Sequence, residues 1–364
     1  MTDMRTGVAA DYAAELDRAA SMINDLLHRE TLPGTVRPAA LADAVRAYPE
    51  RCGKRLRPAL LLWSCGLVGG DPAKARHAAL AVELYHNWTL VHDDIIDRDE
   101  TRRGQPACQV LLRESYPGAR KTGAAAKRHG CDQAMLAGDI QHGWAVDTLA
   151  RGTGDGIRPE IALALVRRLC GTLTPALLSG EALDVEFAAG KAMPSATAIE
   201  HMIALKTGAL LRFAAQAGVL IGLDSSDFDC QEARNLGDFA ENAGVAFQLL
   251  DDWLGVFGDS AELGKPVGAD LREGKKTLLL CHALTMATPA ARRELRRLAG
   301  NPRLDAAGLD RARTLIRDSG AETALLTNAR RLADSAQNLL LAFPANPYRD
   351  RLGAWLNALV NRRR

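Results

Sequence analysis

The chain has 364 residues, 47% hydrophobic and 25% charged, a composition that excludes a disordered protein. Lys plus Arg number 46 and Asp plus Glu 44, so the net charge is +2, without the basic excess of a nucleic-acid-binding protein. The seven cysteines, at 52, 65, 108, 131, 170, 230 and 281, form no Cys-x-x-Cys and read as reduced thiols. Residues 1–15 lack the apolar core of a secretory signal. No unbroken apolar run reaches the ~18 residues that cross a bilayer, so the expectation is a cytoplasmic protein without a transmembrane segment.

In chain order the pattern is helical nearly throughout. Apolar residues recur at spacings of three and four in Leu80, Val82, Leu84, Tyr85, Trp88 and Val91. The same spacing returns in Ile161, Leu165, Val166, Leu169 and Leu173, and in Ile203, Leu205, Leu210, Leu211 and Phe213. Gly, Pro and Asp punctuate the chain at 31–38, 69–72, 152–159, 190–194, 222–229, 258–274, 288–289 and 300–302. Residues 116–130, with Arg120, Lys121, Lys127 and Arg128, read as an exposed loop. Thr197 and Glu200 are spaced as a capping box at a helix start. Strand-like alternation is scarce and no segment reads as a linker, so the prediction is all-α, one domain over residues 1–364.

Three groups of residues carry chemistry. Asp93 and Asp97 stand i and i+4 on a helix, about 6 Å apart on one face, with Asp94 beside them. Like charges at that spacing destabilise a helix unless a cation lies between them, and hard divalent cations take such oxygens. Asp251 and Asp252 end a second apolar helical run, Phe247 to Leu250. Two such helix ends could face one cavity and jointly hold ions that bridge to a diphosphate. The third group is cationic: Lys54, Arg55 and Arg57 after Gly53; Arg102 and Arg103 behind the first acidic motif; Lys265, Lys275 and Lys276 behind the second. Guanidinium forks and ammonium groups beside glycine suit phosphate. The known nucleotide-binding and nucleophile motifs are absent, so the chemistry implied is departure of a diphosphate from carbon.

These segments resemble the trans-isoprenyl diphosphate synthases, the polyprenyl synthetase family. The resemblance rests on Gly53–Pro58, Leu90–Asp97, Thr101–Pro106, Leu136–Asp139, Leu205–Gly208, Ala246–Asp252 and Gly264–Thr277. It implies one all-α helical bundle around a deep central cavity, a homodimer, and condensation of isopentenyl diphosphate with an allylic diphosphate. It implies Mg²⁺ as cofactor, three ions with substrate bound, with Mn²⁺ as a substitute. Asp93, Asp97 and Asp251 match the principal metal ligands, and Asp94 and Asp252 match supporting acids. Arg102, Lys206, Lys265 and Lys275 match residues on the allylic diphosphate. Lys54, Arg57, His86 and Arg103 match the isopentenyl diphosphate site, and Thr207 and Gln248 match residues beside the developing allylic cation.

Two positions depart from the family pattern: Gly255 replaces the last acid of the second motif, and Glu181 stands where Gln is frequent. Bulk upstream of the first acidic motif limits product length in this family. Trp88, five residues before Asp93, would form a floor with Tyr85, and on a helical wheel Tyr85 and Thr89 point closer to Asp93 than Trp88 does. The expectation is a short-chain enzyme with a C15–C20 product, geranylgeranyl diphosphate foremost. The alternatives are a medium- or long-chain synthase, a terpene cyclase or a non-catalytic subunit. A cyclase would want aromatic rings around its cation, and the chain is only 5% aromatic.

Overall fold

Apolar periodicity at three and four makes helices here almost everywhere. The computed structural model describes residues 2–51, 53–258 and 267–361, with side chains from residue 11. Its α-helices of five or more residues are α1 (Thr2–His28), α2 (Ala39–Glu50), α3 (Leu56–Leu67), α4 (Arg76–Ile96), α5 (Cys108–Arg113), α6 (Ala124–Ala150), α7 (Pro159–Arg168), α8 (Thr174–Ala189) and α9 (Ala196–Ile203). They continue with α10 (Ala209–Gly222), α11 (Gln231–Phe257), α12 (Ala269–Glu273), α13 (Leu278–Met286), α14 (Pro289–Leu298), α15 (Ala306–Asp318), α16 (Ala321–Leu341) and α17 (Pro347–Val360). The sheet among the described residues is one antiparallel hairpin, β1 (Thr101–Arg102) on β2 (Gln105–Pro106). The all-α expectation holds.

Contacts divide the chain into two compact units. The first comprises Met1–Cys170, Phe213–Arg234 and Asn346–Leu352; the second comprises Gly171–Arg212, Asn235–Ala345 and Gly353–Arg364. Three of the boundaries fall inside helices α10, α11 and α17 rather than in loops. In the first unit α4 is buried on every side from Ala78 to Tyr85 and packs against α3 and α6. The second unit is built on a core that includes Ile199, Met202, Leu249, Leu271, Leu279, Leu295, Leu315 and Leu325.

Three local readings change. Helix α6 begins at Ala124, so the exposed loop is shorter than 116–130 and its last seven residues are the first two turns of a helix. Gly130 sits in that helix where it passes the Gln109 carbonyl, a contact that leaves no room for a side chain. The start of α9 is capped by Ser195, whose hydroxyl accepts from Ala198 N at 3.2 Å, and Thr197 lies inside the helix. Two helical stretches, Pro159–Ala189 and Ala196–Gly222, are long and apolar enough by length and composition to cross a membrane, although no unbroken apolar run showed it. The second is two-thirds buried, as a core helix is; the first is one-third buried.

Candidate active site

In the first unit, α4 supplies His86, Asp93 and Asp94 and ends on Asp97, whose N–H donates to the Asp93 carbonyl at 2.8 Å. The chain then turns into the hairpin. Its tip, Arg103-Gly104, has φ of 54° and 71°, a left-handed pair that turns the strand back on itself. Arg102, on β1, donates through Nε to Asp94 Oδ1 at 2.7 Å and through Nη2 to Asp93 Oδ2 at 3.2 Å, with Asp99 at 3.6 Å. Asp94 is fully buried and also accepts from the Tyr48 hydroxyl. Burial pushes the Asp94 carboxyl up while Arg102 and Tyr48 pull it down, and the net direction is upward. Burial opposes the Arg102 charge, but the carboxylates outweigh it and hold the guanidinium fully protonated. Gln109 closes the turn, donating to the carbonyls of Asp94 at 2.9 Å and Asp99 at 2.6 Å.

A cationic cluster of different character adjoins it within the same unit. Arg57, Arg103 and the exposed Lys54 have no carboxylate within ion-pairing distance among the described residues. Arg57 Nε is buried without a hydrogen-bond partner. Burial lowers Arg57 to about 10, with Arg103 acting in the same sense and Glu83 against it. The Arg103 guanidinium rests on Gly53, 3.1 Å from where a Cβ would stand, so the glycine makes room for it. Burial, then Arg57, Arg103, Arg102 and Arg55, hold His86 well below its ordinary pKa, hence neutral.

Further back on α4, Trp88 is 5% exposed. Its ring meets Tyr85 edge-on at 4.8 Å and His142 at 4.6 Å. Thr89 Oγ1 donates to the His86 carbonyl at 2.7 Å and so turns along its own helix.

In the second unit a single-turn π-helix, Ala204–Gly208, carries Lys206 and Thr207. Such bulges re-aim side chains and concentrate at functional sites. Lys206 Nζ lies 2.9 Å from Glu181 Oε2 and 2.8 Å from Asp184 Oδ2, both on α8. Thr207 Oγ1 donates to Gln248 Oε1 at 3.4 Å, and Gln248 Nε2 donates to Asp252 Oδ1 at 3.1 Å. Asp252 is 4% exposed and lies 3.7 Å from Lys275 Nζ. Burial raises Asp252 to about 6 against the pull of Lys275. Burial works against the Lys275 charge, but Asp252, Asp270 and Asp184 outweigh it and raise its pKa. Asp251 projects outward on the same helix end. The Gly255 departure has a structural counterpart: Asp270 Oδ2 lies 2.8 Å from where a Gly255 Cβ would stand, so a neighbouring acid fills the gap. Lys265 lies outside the described residues.

Among the described residues no three His, Cys, Asp or Glu side chains converge as a ready metal cage. The donor set still fits a hard cation. The acids are carboxylates at helix ends, and each group already draws a positive side chain, Arg102 in one unit and Lys275 in the other. Magnesium takes few protein carboxylates and completes its shell with water and substrate phosphate, so a closed cage is not required. The sequence reading does not single out Tyr48, Glu83 or His142. Tyr48 lies 46 residues from the acid it holds, and no local pattern marks such a pairing.

The polyprenyl synthetase family model matches residues 38–316. A geranylfarnesyl diphosphate synthase of Aeropyrum pernix is 36% identical over 313 residues, covering 85% of this chain and 90% of its own. The crystal structure of a geranylgeranyl pyrophosphate synthetase from Pyrococcus horikoshii superposes with a TM-score of 0.83 at 32% identity, over 97% of this chain and 99% of its own. A geranylgeranyl pyrophosphate synthase from Corynebacterium glutamicum, complexed with isoprenyl diphosphate and magnesium, superposes at 0.79 with 26% identity, over 99% of this chain and 98% of its own.

Proposed function

The chain belongs to the polyprenyl synthetase family, and from that premise we propose that it is a short-chain prenyltransferase. It condenses isopentenyl diphosphate with an allylic diphosphate to a C15–C20 product, geranylgeranyl diphosphate foremost. The observation that carries this reading is a second cationic cluster, Lys54, Arg57 and Arg103 around His86, where the one acid drawn in, Glu83, is buried and paired with Arg55. A cyclase handles one diphosphate; two substrates with a diphosphate each need a second anion site. Aromatic content of 5% agrees, because cyclases line their cavities with rings.

The proposed division of labour follows the geometry. Asp93, Asp97 and Asp251 would hold Mg²⁺, with Asp94 and Asp252 as buried supporting acids. Bound Mg²⁺ supplies positive charge to the leaving diphosphate. Arg102, Lys206 and Lys275 hold the allylic diphosphate, each now aimed by the carboxylates it rests on. The allylic C–O bond breaks and its electron pair leaves with the diphosphate. Thr207 and Gln248 offer fixed dipoles to the carbon left positive, the amide being oriented by Asp252. The isopentenyl double bond forms the new C–C bond, and the proton lost next passes to the released diphosphate. Trp88 with Tyr85 sets the depth open to the growing chain.

We propose further that the two units work as one domain over residues 1–364, that the enzyme is a homodimer, and that it acts in the cytoplasm. The dimer is supported by an exposed stripe on α8 and the turn before it: Gly171, Pro175, Leu178, Ala182, Val185 and Ala189. The cytoplasm is supported by six free thiols.

The test is incubation with Mg²⁺, labelled isopentenyl diphosphate and each allylic primer, with the products sized. Farnesyl diphosphate should be extended by one unit and elongation should then stop. No incorporation of label, a cyclic hydrocarbon, or a ladder of much longer products would each overturn the assignment.

A further inference from the structure

Three non-glycine residues near the first acidic motif have left-handed backbones: Arg55 at φ 49°, Arg98 at 61° and Arg103 at 54°. That conformation is unfavourable for a residue with a Cβ and persists only where surroundings impose it. For Arg55 the surroundings are explicit. It is the residue before α3, between Lys54 and Arg57, yet its side chain is turned inward and is only 2% exposed. Its Nη1 donates to Glu83 Oε1 at 2.6 Å. Its Nη2 donates to the Pro49 carbonyl at 2.6 Å and to Asn24 Oδ1 at 2.9 Å, and Nε reaches the same oxygen at 3.2 Å. One guanidinium thus ties α1, the end of α2 and α4 to the turn that presents Lys54 and Arg57.

Glu83 completes the argument. It is 5% exposed and stands three residues before His86 on α4, one turn along the same face. It also draws Arg57 and Arg103, whose charges repel each other. A buried ion pair is weak as a source of stability, since an apolar pair of like volume commonly does as well. Its placement here is better explained by what it aims.

We infer that the buried Arg55–Glu83 pair is a positioning device for isopentenyl diphosphate, fixing Lys54 and Arg57 on their turn against His86 and holding the repelling arginines together before the substrate arrives. This rests on the proposal that Lys54, Arg57, His86 and Arg103 hold that substrate. The test compares Arg55→Lys, the apolar pair Arg55→Met with Glu83→Leu, and the milder Asn24→Ala, with Arg57→Gln as the control on the site itself. In the first two, KM for isopentenyl diphosphate should rise about tenfold while KM for the allylic diphosphate stays within about twofold. In Asn24→Ala, which removes one acceptor at the edge of the network, the rise should be about threefold. The apolar pair should melt near the wild-type temperature, which separates aim from stability. A raised KM in Arg57→Gln with unchanged values in the other three overturns the positioning role and leaves the site intact. An unchanged KM in Arg57→Gln as well overturns both.

Discussion

Among the proposed metal ligands, Asp93 offers the sharpest test. It is partly exposed at the last turn of α4, while its neighbour Asp94 is buried and committed to Arg102 and Tyr48. Asp93→Ala should therefore lower kcat by at least about 100-fold, since charge on the leaving diphosphate acts in the transition state. Steady-state assay at saturating substrate checks this. Trp88 tests product length. Its ring fills space against Tyr85 and His142, so Trp88→Ala should shift the product distribution upward by one or more isoprene units, read by chromatography of the dephosphorylated alcohols. His86 gives a pH prediction. Burial and four arginines keep it neutral in the folded chain, whereas the unfolded chain titrates near its ordinary value. The folded state then binds fewer protons, so the contribution is fully present above about pH 6.5 and is lost as pH falls below it. Between about pH 6.5 and 5.5 the wild type should lose more stability than His86→Gln, measured by denaturant unfolding at both pH values.

At the level of elements, α8 works through a close approach. A Cβ on Gly180 would stand 2.5 Å from Lys206 N and 2.9 Å from Leu205 Cβ, so α8 meets the π turn with nothing between them. That contact lets Glu181 and Asp184 reach Lys206. Gly180→Val should push the π turn away, costing about 1–3 kcal/mol by overpacking. It should raise KM for the allylic diphosphate several-fold more than KM for isopentenyl diphosphate. Thermal melting and both KM values check it, and equal rises in the two would contradict the assignment of Lys206. Much at this scale was legible beforehand: periodicity marked α4, an apolar run closed by two acids marked the end of α11, and like charges at i and i+4 marked the end of α4. The π turn was not, because it differs from an α-helix by one displaced hydrogen bond and leaves no pattern in Leu205-Lys206-Thr207. Nor were the Tyr48–Asp94 and Arg55–Glu83 pairs, which join residues 46 and 28 apart through the packing of helices.

For the whole molecule, the informative helix is again α8, seen from its other side. The inward side carries Leu177, Gly180, Glu181 and Asp184. The outward side, from Gly171 to Ala189, repeats every four then three residues and carries no charge at those positions. Leu178 is 44% exposed and Val185 45%, side chains that a lone chain leaves in water. Scattered exposed leucines are normal, but an uninterrupted seam at alternating spacings of four and three is the pattern by which one helix meets another. This also accounts for a stretch apolar enough to cross a membrane yet only one-third buried. In the proposed homodimer a second copy of the chain would cover this seam by a two-fold contact in which the same residues face each other. Val185→Lys together with Leu178→Glu places charge in the middle of it. The wild type should sediment as a dimer at micromolar concentration and the double variant as a monomer, with the helical circular dichroism signal retained. A wild type that sediments as a monomer would remove the seam's assignment. A double variant that stays dimeric would move the interface to another face.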